Sequence, residues 1–220
     1  MMANAYAELP LVMLGAGGHA KVLLSLIRAA EMNVVGVCDP VLAENGIRKW
    51  RGLIVLGADE ALDAINPASV GLVNGIGQLA ASTARRRVFE RFKEKGFSFP
   101  VLVHPTAWVD ESTVLSEGVQ VMAGAVIQAD VTVGLNSIIN TSASIDHDCY
   151  LGSHIHVAPG ATVCGHVNLS DFVFIATGAT VIQAIHIGES AIVGAGATVV
   201  RNLGPGETLL GAAARNISQT

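Results

Sequence analysis

An aliphatic residue recurs at every sixth position through the second half of the chain, without an insertion. Sixteen positions carry it: Val109, Leu115, Val121, Ile127, Val133, Ile139, Ile145, Leu151, Val157, Val163, Leu169, Ile175, Val181, Ile187, Val193 and Val199. From residue 115 onward, the position four residues later is mostly small or β-branched. Hexapeptide repeats of this kind indicate a parallel β-helix, in which three hexads form one triangular coil with an aliphatic interior.

The repeat also predicts the size and surface of this prism. Stacked about 4.8 Å apart, the coils would form about five layers over about 25 Å. Such a narrow interior has no room for large rings, and only 5% of the residues are aromatic. We therefore expect Trp108, Tyr150, Phe172 and Phe174 to lie outside the prism or at its ends. Its flat faces carry few charges, which favours a symmetric oligomer.

The first half of the chain differs in composition and in pattern. Residues 1–100 hold eleven of the thirteen Lys and Arg residues and residues 101–200 hold none, which marks a domain boundary. Predicted strands at 12–14, 34–37, 53–56 and 70–73 alternate with predicted helices at 21–30, 58–65 and 80–95. This alternation predicts a small parallel sheet with helices on its faces. We divide the chain into an α/β domain at 1–103, a β-helix at 104–202 and a C-terminal cap or tail at 203–220.

Charge and hydropathy exclude several classes of protein. A formal net charge of -5 and a pI of 5.7 argue against a nucleic-acid binder, and a mean hydropathy of +0.52 argues against disorder. Cys38, Cys149 and Cys164 have no C-x-x-C spacing, so we expect buried thiols rather than disulfides or a zinc knuckle. The sequence shows neither a secretion signal nor a membrane span, and we expect a cytoplasmic protein.

Glycines follow the first predicted strand and open the first predicted helix. Gly15, Gly17 and Ala20 fall in the G-x-G-x-x-A pattern that places a phosphate at a helix N-terminus. Asp39 ends the next strand, where a ribose-binding carboxylate would lie. A tight turn without a ligand is the alternative, and NAD competes with a nucleotide sugar. About one hundred residues supply only one mononucleotide-binding half, which favours a single nucleotide.

His147 stands between Asp146 and Asp148, as a general base does when a carboxylate orients its ring. Gly165 follows eighteen residues later and so falls one coil away, where its N–H could bind a thioester carbonyl. The alternative is a solvated surface histidine. His156 lies half a coil from His147, which it could reach only across a subunit interface.

Two further groups of residues could carry chemistry, and we interpret neither of them as a functional site. His154, His166 and His186 also fall in the repeat but lack a compact ligand spacing, and we expect no metal site. The basic run at 85–87 has helical spacing, and we expect a solvated outer helix face.

Several segments together carry a resemblance to a known family. They are the glycine motif Gly15-Ala-Gly-Gly-His-Ala-Lys, Asp39 at a strand end, Asn74-Gly-Ile-Gly, His104-Pro at the start of the repeats, and Asn140-Thr-Ser-Ala-Ser-Ile-Asp-His-Asp-Cys. In these segments the chain resembles the PglD/NeuD-type bacterial sugar acetyltransferases, and the match runs through nearly the whole chain.

The resemblance implies an α/β, Rossmann-like N-terminal half domain followed by a left-handed parallel β-helix of hexapeptide repeats. Such proteins are homotrimers with active sites between neighbouring subunits. The donor is acetyl-CoA, no metal is needed, and the acceptor is typically the 4-amino group of a nucleotide-linked 4-amino-4,6-dideoxy sugar for surface-glycan or lipopolysaccharide synthesis. O-acetylation of a sialic acid and a non-catalytic scaffold are the alternatives.

The resemblance also implies roles for residues that match the family's motifs. His147 would be the base and Asp148 would raise its basicity. Residues implied along the acetyl-CoA site are His156, Gly165, Thr177 and Ala195. Residues implied at the nucleotide sugar are Gly17, Gly18, His19, Asp39 and Gly77, with Asn140 near the reacting sugar. Because residues 101–200 contain no cationic side chain, we expect Arg201 and Arg215, or a neighbouring subunit, to meet the 3′-phosphate of CoA.

Overall fold

The computed structural model describes residues 9–213, and the first part of the chain forms a small α/β unit. Its elements are β1 (Leu11–Leu14), α1 (Gly18–Ala29), β2 (Val34–Cys38), α2 (Pro40–Glu44), β3 (Lys49–Trp50), β4 (Leu53–Gly57), β5 (Gly71–Asn74) and α3 (Ala84–Glu94), with 3₁₀ turns at Asp59–Ala64 and Pro67–Ser69. The strand order is β3-β4-β2-β1-β5, and the sheet is parallel except where β3 meets β4.

Hydrophobic packing on both faces explains why β1 is an interior strand of this sheet, between β2 and β5. All four of its residues are buried, because α1 packs on the side of Leu11 and Met13 while α3 packs on the side of Val12 and Leu14. A strand covered on both faces reads as a continuous apolar run. The predicted α/β alternation is confirmed, although β3 was not foreseen and the predicted helix at 80–95 begins only at Ala84.

The second part of the chain consists of two-residue strands. They are β6 (Leu102–Val103), β7 (Trp108–Val109), β8 (Val114–Leu115), β9 (Gln120–Val121), β10 (Val126–Ile127), β11 (Thr132–Val133), β12 (Ile138–Ile139), β13 (Ser144–Ile145), β14 (Tyr150–Leu151), β15 (His156–Val157), β16 (Thr162–Val163), β17 (Asn168–Leu169), β18 (Phe174–Ile175), β19 (Thr180–Val181), β20 (His186–Ile187), β21 (Ile192–Val193), β22 (Thr198–Val199) and β23 (Thr208–Leu209).

These strands stack into three parallel sheets, which are the faces of a prism. Face 1 has the order β22-β19-β16-β13-β10-β7, face 2 the order β20-β17-β14-β11-β8, and face 3 the order β23-β21-β18-β15-β12-β9-β6. Partners within a face differ by eighteen residues, as in the pair of Ile145 with Val163, except that β21 and β23 pair at a separation of sixteen. Corner 1/2 joins face 1 to face 2, for example at 146–149 and 164–167, and corner 3/1 joins face 3 to face 1, for example at 140–143 and 176–179.

The interior of the prism is aliphatic. The recurring hexad residue is the second residue of its strand, and from Val121 to Val199 every one of them is fully buried. Each such side chain contributes about 1.5–3 kcal/mol of transfer free energy. Trp108 and Tyr150 are exposed on the outside, as predicted. The hexad repeat therefore forms the predicted parallel β-helix.

The α/β unit docks on face 3. Gln120 Nε2 donates to Asn74 O at 3.0 Å across this junction. Under the unit, Gln120, Ile138 and His156 are buried although they point out of the prism. Strands of the β-helix run from β6 to β23. The last of them, β23, pairs with β21 inside the segment that we assigned to a tail. The domain boundaries at 103/104 and 202/203 stay a prediction.

Within residues 9–213, the helices are too short and too polar for any of them to cross a bilayer.

Candidate active site

The imidazole of His147 lies at corner 1/2 and is held by two carboxylates. Its Nδ1 lies 2.7 Å from Oδ2 of Asp148, and its backbone N–H donates to Oδ1 of Asp146 at 2.9 Å. The hydrogen bond with Asp148 raises the pKa of His147. A carboxylate at Nδ1 favours the tautomer with the proton there, which leaves Nε2 to accept another. Of the two candidate aspartates, Asp148 is therefore the one that orients the ring.

Gly165 lies one coil beyond His147, and the ring rests directly against it. A Cβ at this position would lie 2.8 Å from Cε1 and 2.9 Å from Nε2 of His147. Only glycine leaves room for the ring there. Among residues 9–213 its N–H has no hydrogen-bond acceptor. The predicted base and the predicted donor are thus adjacent.

His156 joins the prism to the loop that follows β5. Its Nδ1 lies 3.1 Å from Gln78 O, and its Nε2 lies 3.1 Å from Nδ2 of Asn140. A carbonyl oxygen can only accept, so Nδ1 carries the proton and Nε2 accepts from Asn140. Burial lowers the pKa of His156 to about 4, which keeps the ring neutral at physiological pH. Two residues predicted for different ligands therefore contact each other.

The predicted nucleotide residues meet at the carboxyl end of the sheet. Gly17 and Gly18 begin α1, and a Cβ at either would meet no atom within 4 Å, so this turn is open to a ligand. Oδ2 of Asp39 accepts from Ala16 N at 2.8 Å, and Oδ1 accepts from Leu42 N at 2.9 Å. Asp39 thus also braces the glycine turn and caps α2.

His19 lies beneath this turn and faces the prism. Its Nε2 lies 2.8 Å from Oε1 of Gln120, and a Cβ on Gly77 would lie 3.2 Å from the Cβ of His19. Burial, together with the nearby Arg85, lowers the pKa of His19 to about 4. His19 is therefore a neutral hydrogen-bonding residue at the junction of the two parts of the chain.

Arg85 corrects the expectation that the basic run at 85–87 is solvated. Its guanidinium is fully buried, and burial lowers its pKa to about 9. Nη1 donates to Asn74 O and Ile76 O, both at 2.8 Å, and Nε donates to Asn136 O at 3.2 Å. One cation therefore ties the loop after β5 to the prism, and the prediction failed because docking on face 3 covers this part of α3.

We expect Arg85→Met to lower the free energy of unfolding by about 2–3 kcal/mol, because it leaves the carbonyl oxygens of Ile76 and Asn136 without a donor and removes one of the two donors to Asn74 O. Urea denaturation followed by circular dichroism measures this change. Arg87→Met on the exposed side of α3 is the matched control and should cost at most about 0.5 kcal/mol. Equal losses in the two variants would contradict the role of Arg85.

Of the residues predicted along acetyl-CoA, His156 lies on face 3 and the other three fall at two corners. Thr177 and Ala195 stack at corner 3/1, where Gly196 N donates to Thr177 O at 3.0 Å, whereas Gly165 belongs to corner 1/2. Arg201 is exposed just after β22. The other arginine predicted for the CoA phosphate, Arg215, lies outside the described residues.

Two clefts open on the surface of the prism. One, of about 320 Å³, lies beside the loop after β5, where the Arg86 guanidinium stands 4.3 Å over the ring of Phe172; its lining includes none of the predicted site residues. The other, of about 230 Å³, lies on face 1 between Ser144 and Thr162 and includes Asp146. The second cleft therefore adjoins the candidate base.

The chain is similar to several known proteins over nearly its whole length. Residues 10–92 match the family described as the PglD N-terminal domain. Perosamine N-acetyltransferase from Caulobacter crescentus, solved with CoA and GDP-perosamine, is 36% identical with a TM-score of 0.84; the match covers 93% of this chain and 95% of that one. The acetyltransferase domain of PglB from Neisseria gonorrhoeae, solved with acetyl coenzyme A, is 32% identical with a TM-score of 0.83 and coverages of 92% and 96%. WeeI from Acinetobacter baumannii, at 22% identity, a TM-score of 0.81 and coverages of 92% and 97%, shares the fold.

Proposed function

Because the chain belongs to the PglD/NeuD-type bacterial sugar acetyltransferases, and is thus an acetyl-CoA-dependent sugar N-acetyltransferase with a left-handed β-helix, we propose that it acetylates the 4-amino group of a nucleotide-linked 4-amino-4,6-dideoxy sugar. The product would serve bacterial surface-glycan synthesis. The observation that carries the proposal is the pair of His147 and Asp148, set against the bare N–H of Gly165.

In the proposed mechanism, His147 acts as the general base. Acetyl-CoA supplies the acetyl group. Nε2 of His147 takes the proton that the sugar amine loses as its nitrogen bonds to the acetyl carbon, and the CoA sulfur leaves. Gly165 N–H donates a hydrogen bond to the thioester carbonyl oxygen. Asp148 stabilises the protonated ring, and no covalent enzyme intermediate is needed.

The outer surface of corner 3/1 fits the slender pantetheine arm of acetyl-CoA. At Gly160, Gly178 and Gly196, stacked on successive coils, a Cβ would meet no atom within 4 Å. Bare backbone of this kind allows close approach of a ligand. Thr177 and Ala195 would line the same corner, and His156 would lie beside it.

In a homotrimer with active sites between neighbouring subunits, site residues that lie apart in one chain would come together. In a single chain, His147 and Gly165 lie at corner 1/2, while Thr177 and Ala195 lie at corner 3/1. If corner 1/2 of one subunit faced corner 3/1 of the next, both sets would border one cleft. The weakly charged strands of face 1, such as β13 and β16, would then pack around the three-fold axis.

The nucleotide would bind at the open turn of Gly17 and Gly18, with a phosphate at the N-terminus of α1. Asp39 and Gly77 would border it, while His19 would support the turn from below. Asn140, fixed by its contact with His156, would lie near the reacting sugar. The GDP-perosamine bound in the Caulobacter protein supports a GDP-linked sugar as the first candidate.

A substrate panel tests this proposal. The protein is incubated with acetyl-CoA and with GDP-, UDP- or dTDP-linked 4-amino-4,6-dideoxy sugars, and with free sialic acid as the O-acetylation control. Product mass and CoA release are recorded. We expect N-acetylation of one or more amino sugar nucleotides and none of sialic acid; transfer to sialic acid alone, or to no acceptor, would contradict the proposal.

The pH profile gives a separate prediction. Because only the neutral ring of His147 accepts a proton, kcat should rise with pH through the pKa of His147. Asp148 raises that pKa, so Asp148→Asn should lower it and move the rising limb to lower pH, while the plateau falls about 10-fold or more with the weaker base.

Asp146→Asn is the matched control, because Asp146 contacts the backbone N–H of His147 and not the ring. The rising limb of its pH profile should move less than the rising limb of Asp148→Asn does. The sugar amine is the same in every assay, so a difference between variants reports on the enzyme. If the rising limb of the kcat profile lay at the same pH in wild type and in Asp148→Asn, the assignment of Asp148 as the residue that raises the pKa of His147 would be contradicted.

A further inference from the structure

His166 stands one coil beyond Asp148 at corner 1/2, and the proposed mechanism gives it no role. Asp148 and His166 occupy equivalent turn positions with the same φ of 57°. Nε2 of His166 lies 3.6 Å from Oδ2 of Asp148, the oxygen that also meets Nδ1 of His147 at 2.7 Å. The two imidazole rings stand edge to face with centroids 5.2 Å apart. One carboxylate oxygen thus lies between two imidazole nitrogens.

We propose that His147, Asp148 and His166 form a binding site for a divalent transition-metal ion, with Zn²⁺ as the favoured ion. One donor atom from each of the three side chains lies within 4.8 Å of the other two. Ligand atoms about 2.1 Å from a tetrahedral metal stand about 3.4 Å apart. Small side-chain rotations therefore suffice to close the site. Two imidazoles and one carboxylate suit Zn²⁺, Ni²⁺ or Co²⁺ better than Mg²⁺ or Ca²⁺.

The surroundings also favour a cation. Asp146 precedes His147 directly, and Asp130 occupies the turn position one coil before Asp148. No Lys or Arg occurs anywhere in residues 101–200. In the single chain, all three proposed ligands are about half exposed or more. The charge around corner 1/2 is therefore negative.

Backbone hydrogen bonds hold the ligands in register. Asp148 N donates to Ala129 O and His166 N donates to His147 O, both at 3.0 Å. These bonds belong to the coil stacking itself, so the corner is a rigid support for the three side chains. Only side-chain torsions need to change when a metal binds.

Metal binding would inhibit acetyl transfer, a consequence that rests on the function proposed above. A metal on Nδ1 of His147 displaces the proton from that nitrogen. The neutral ring then keeps its one proton on Nε2, which can no longer accept one from the sugar amine. The site would thus act as an inhibitory metal site and not as a cofactor site.

Co²⁺ is the probe that tests the site directly. Untagged protein is titrated with Co²⁺ in chelator-free buffer without substrate, and the visible absorption of bound Co²⁺ and its displacement by Zn²⁺ are followed. We expect one Co²⁺ per chain in wild type and an affinity at least about 10-fold lower in His166→Asn. His186→Asn removes an exposed histidine of face 2 and should bind as wild type does. Absence of binding by wild type, or equal affinities in wild type and His166→Asn, would overturn the proposal.

Acetyl transfer measured in the presence of Zn²⁺ distinguishes a failure of the metal-site proposal from a failure of the proposed function. With Zn²⁺ at saturation, wild type should lose acetyl transfer, and the Zn²⁺ concentration for half inhibition should rise at least about 10-fold in His166→Asn. Binding of Co²⁺ without any inhibition would support the metal site and contradict His147 as the base. Inhibition at the same Zn²⁺ concentration in both proteins would count against the site.

Discussion

Replacing His147 with alanine is expected to lower kcat by about 100-fold or more while the fold stays intact. The ring is half exposed and contributes little to packing, so the melting temperature should stay close to that of wild type. The loss of kcat arises because no other side chain at corner 1/2 occupies the position of the His147 ring. Steady-state kinetics at saturating acetyl-CoA and sugar nucleotide, together with thermal unfolding, measure both quantities.

The control is His186→Ala, which removes an exposed imidazole from face 2 without touching the candidate site. It should keep wild-type kcat. Near-normal turnover in His147→Ala would refute the general-base assignment, whatever the substrate. A parallel loss in both variants would instead point to an effect of removing surface histidines in general.

The β-helix could be predicted from the sequence because its pattern is local and uninterrupted. Each hexad supplies one interior residue, and without insertions a separation of eighteen residues must bring two positions onto adjacent coils. That arithmetic placed Gly165 against His147, and the structure has them in contact. The same arithmetic applied to Asp148 leads to His166, a contact that the sequence contained but that we did not foresee.

Contacts between the two parts of the chain were beyond such reasoning. Arg85 reaches Asn136 across fifty-one positions, and nothing in a basic helical run distinguishes a buried arginine from its exposed neighbours. His156 likewise meets Gln78 only because the α/β unit docks on face 3. These contacts depend on docking geometry, which no periodicity encodes.

Asp39 illustrates a second limit. A carboxylate at the end of β2 suggested a ribose contact, yet both oxygens accept backbone N–H groups in the structure. Sequence position alone does not distinguish a ligand contact from a capping role, and one aspartate can serve both because each oxygen has two lone pairs.

Gly165→Ala is expected to lower kcat by about 100-fold. The loss would come from displacement of the neighbouring His147 ring and not from removal of a side chain. The new Cβ would lie 2.8 Å from Cε1 and 2.9 Å from Nε2 of His147, so the ring must move away from the site where it accepts a proton. A misplacement of about 1 Å at a catalytic group costs about 10²-fold in rate. Steady-state kcat at saturating substrates measures the loss.

Stability should change little in Gly165→Ala, because a half-exposed side chain can yield to the methyl group without disturbing the prism. Gly204→Ala is the matched control, since the atom nearest to its Cβ would be Cδ of Glu207, at 3.5 Å. It should keep wild-type kcat and melting temperature. If Gly165→Ala also kept wild-type kcat, the ring of His147 would not need its present position for transfer, and the paired roles of His147 and Gly165 would fall together.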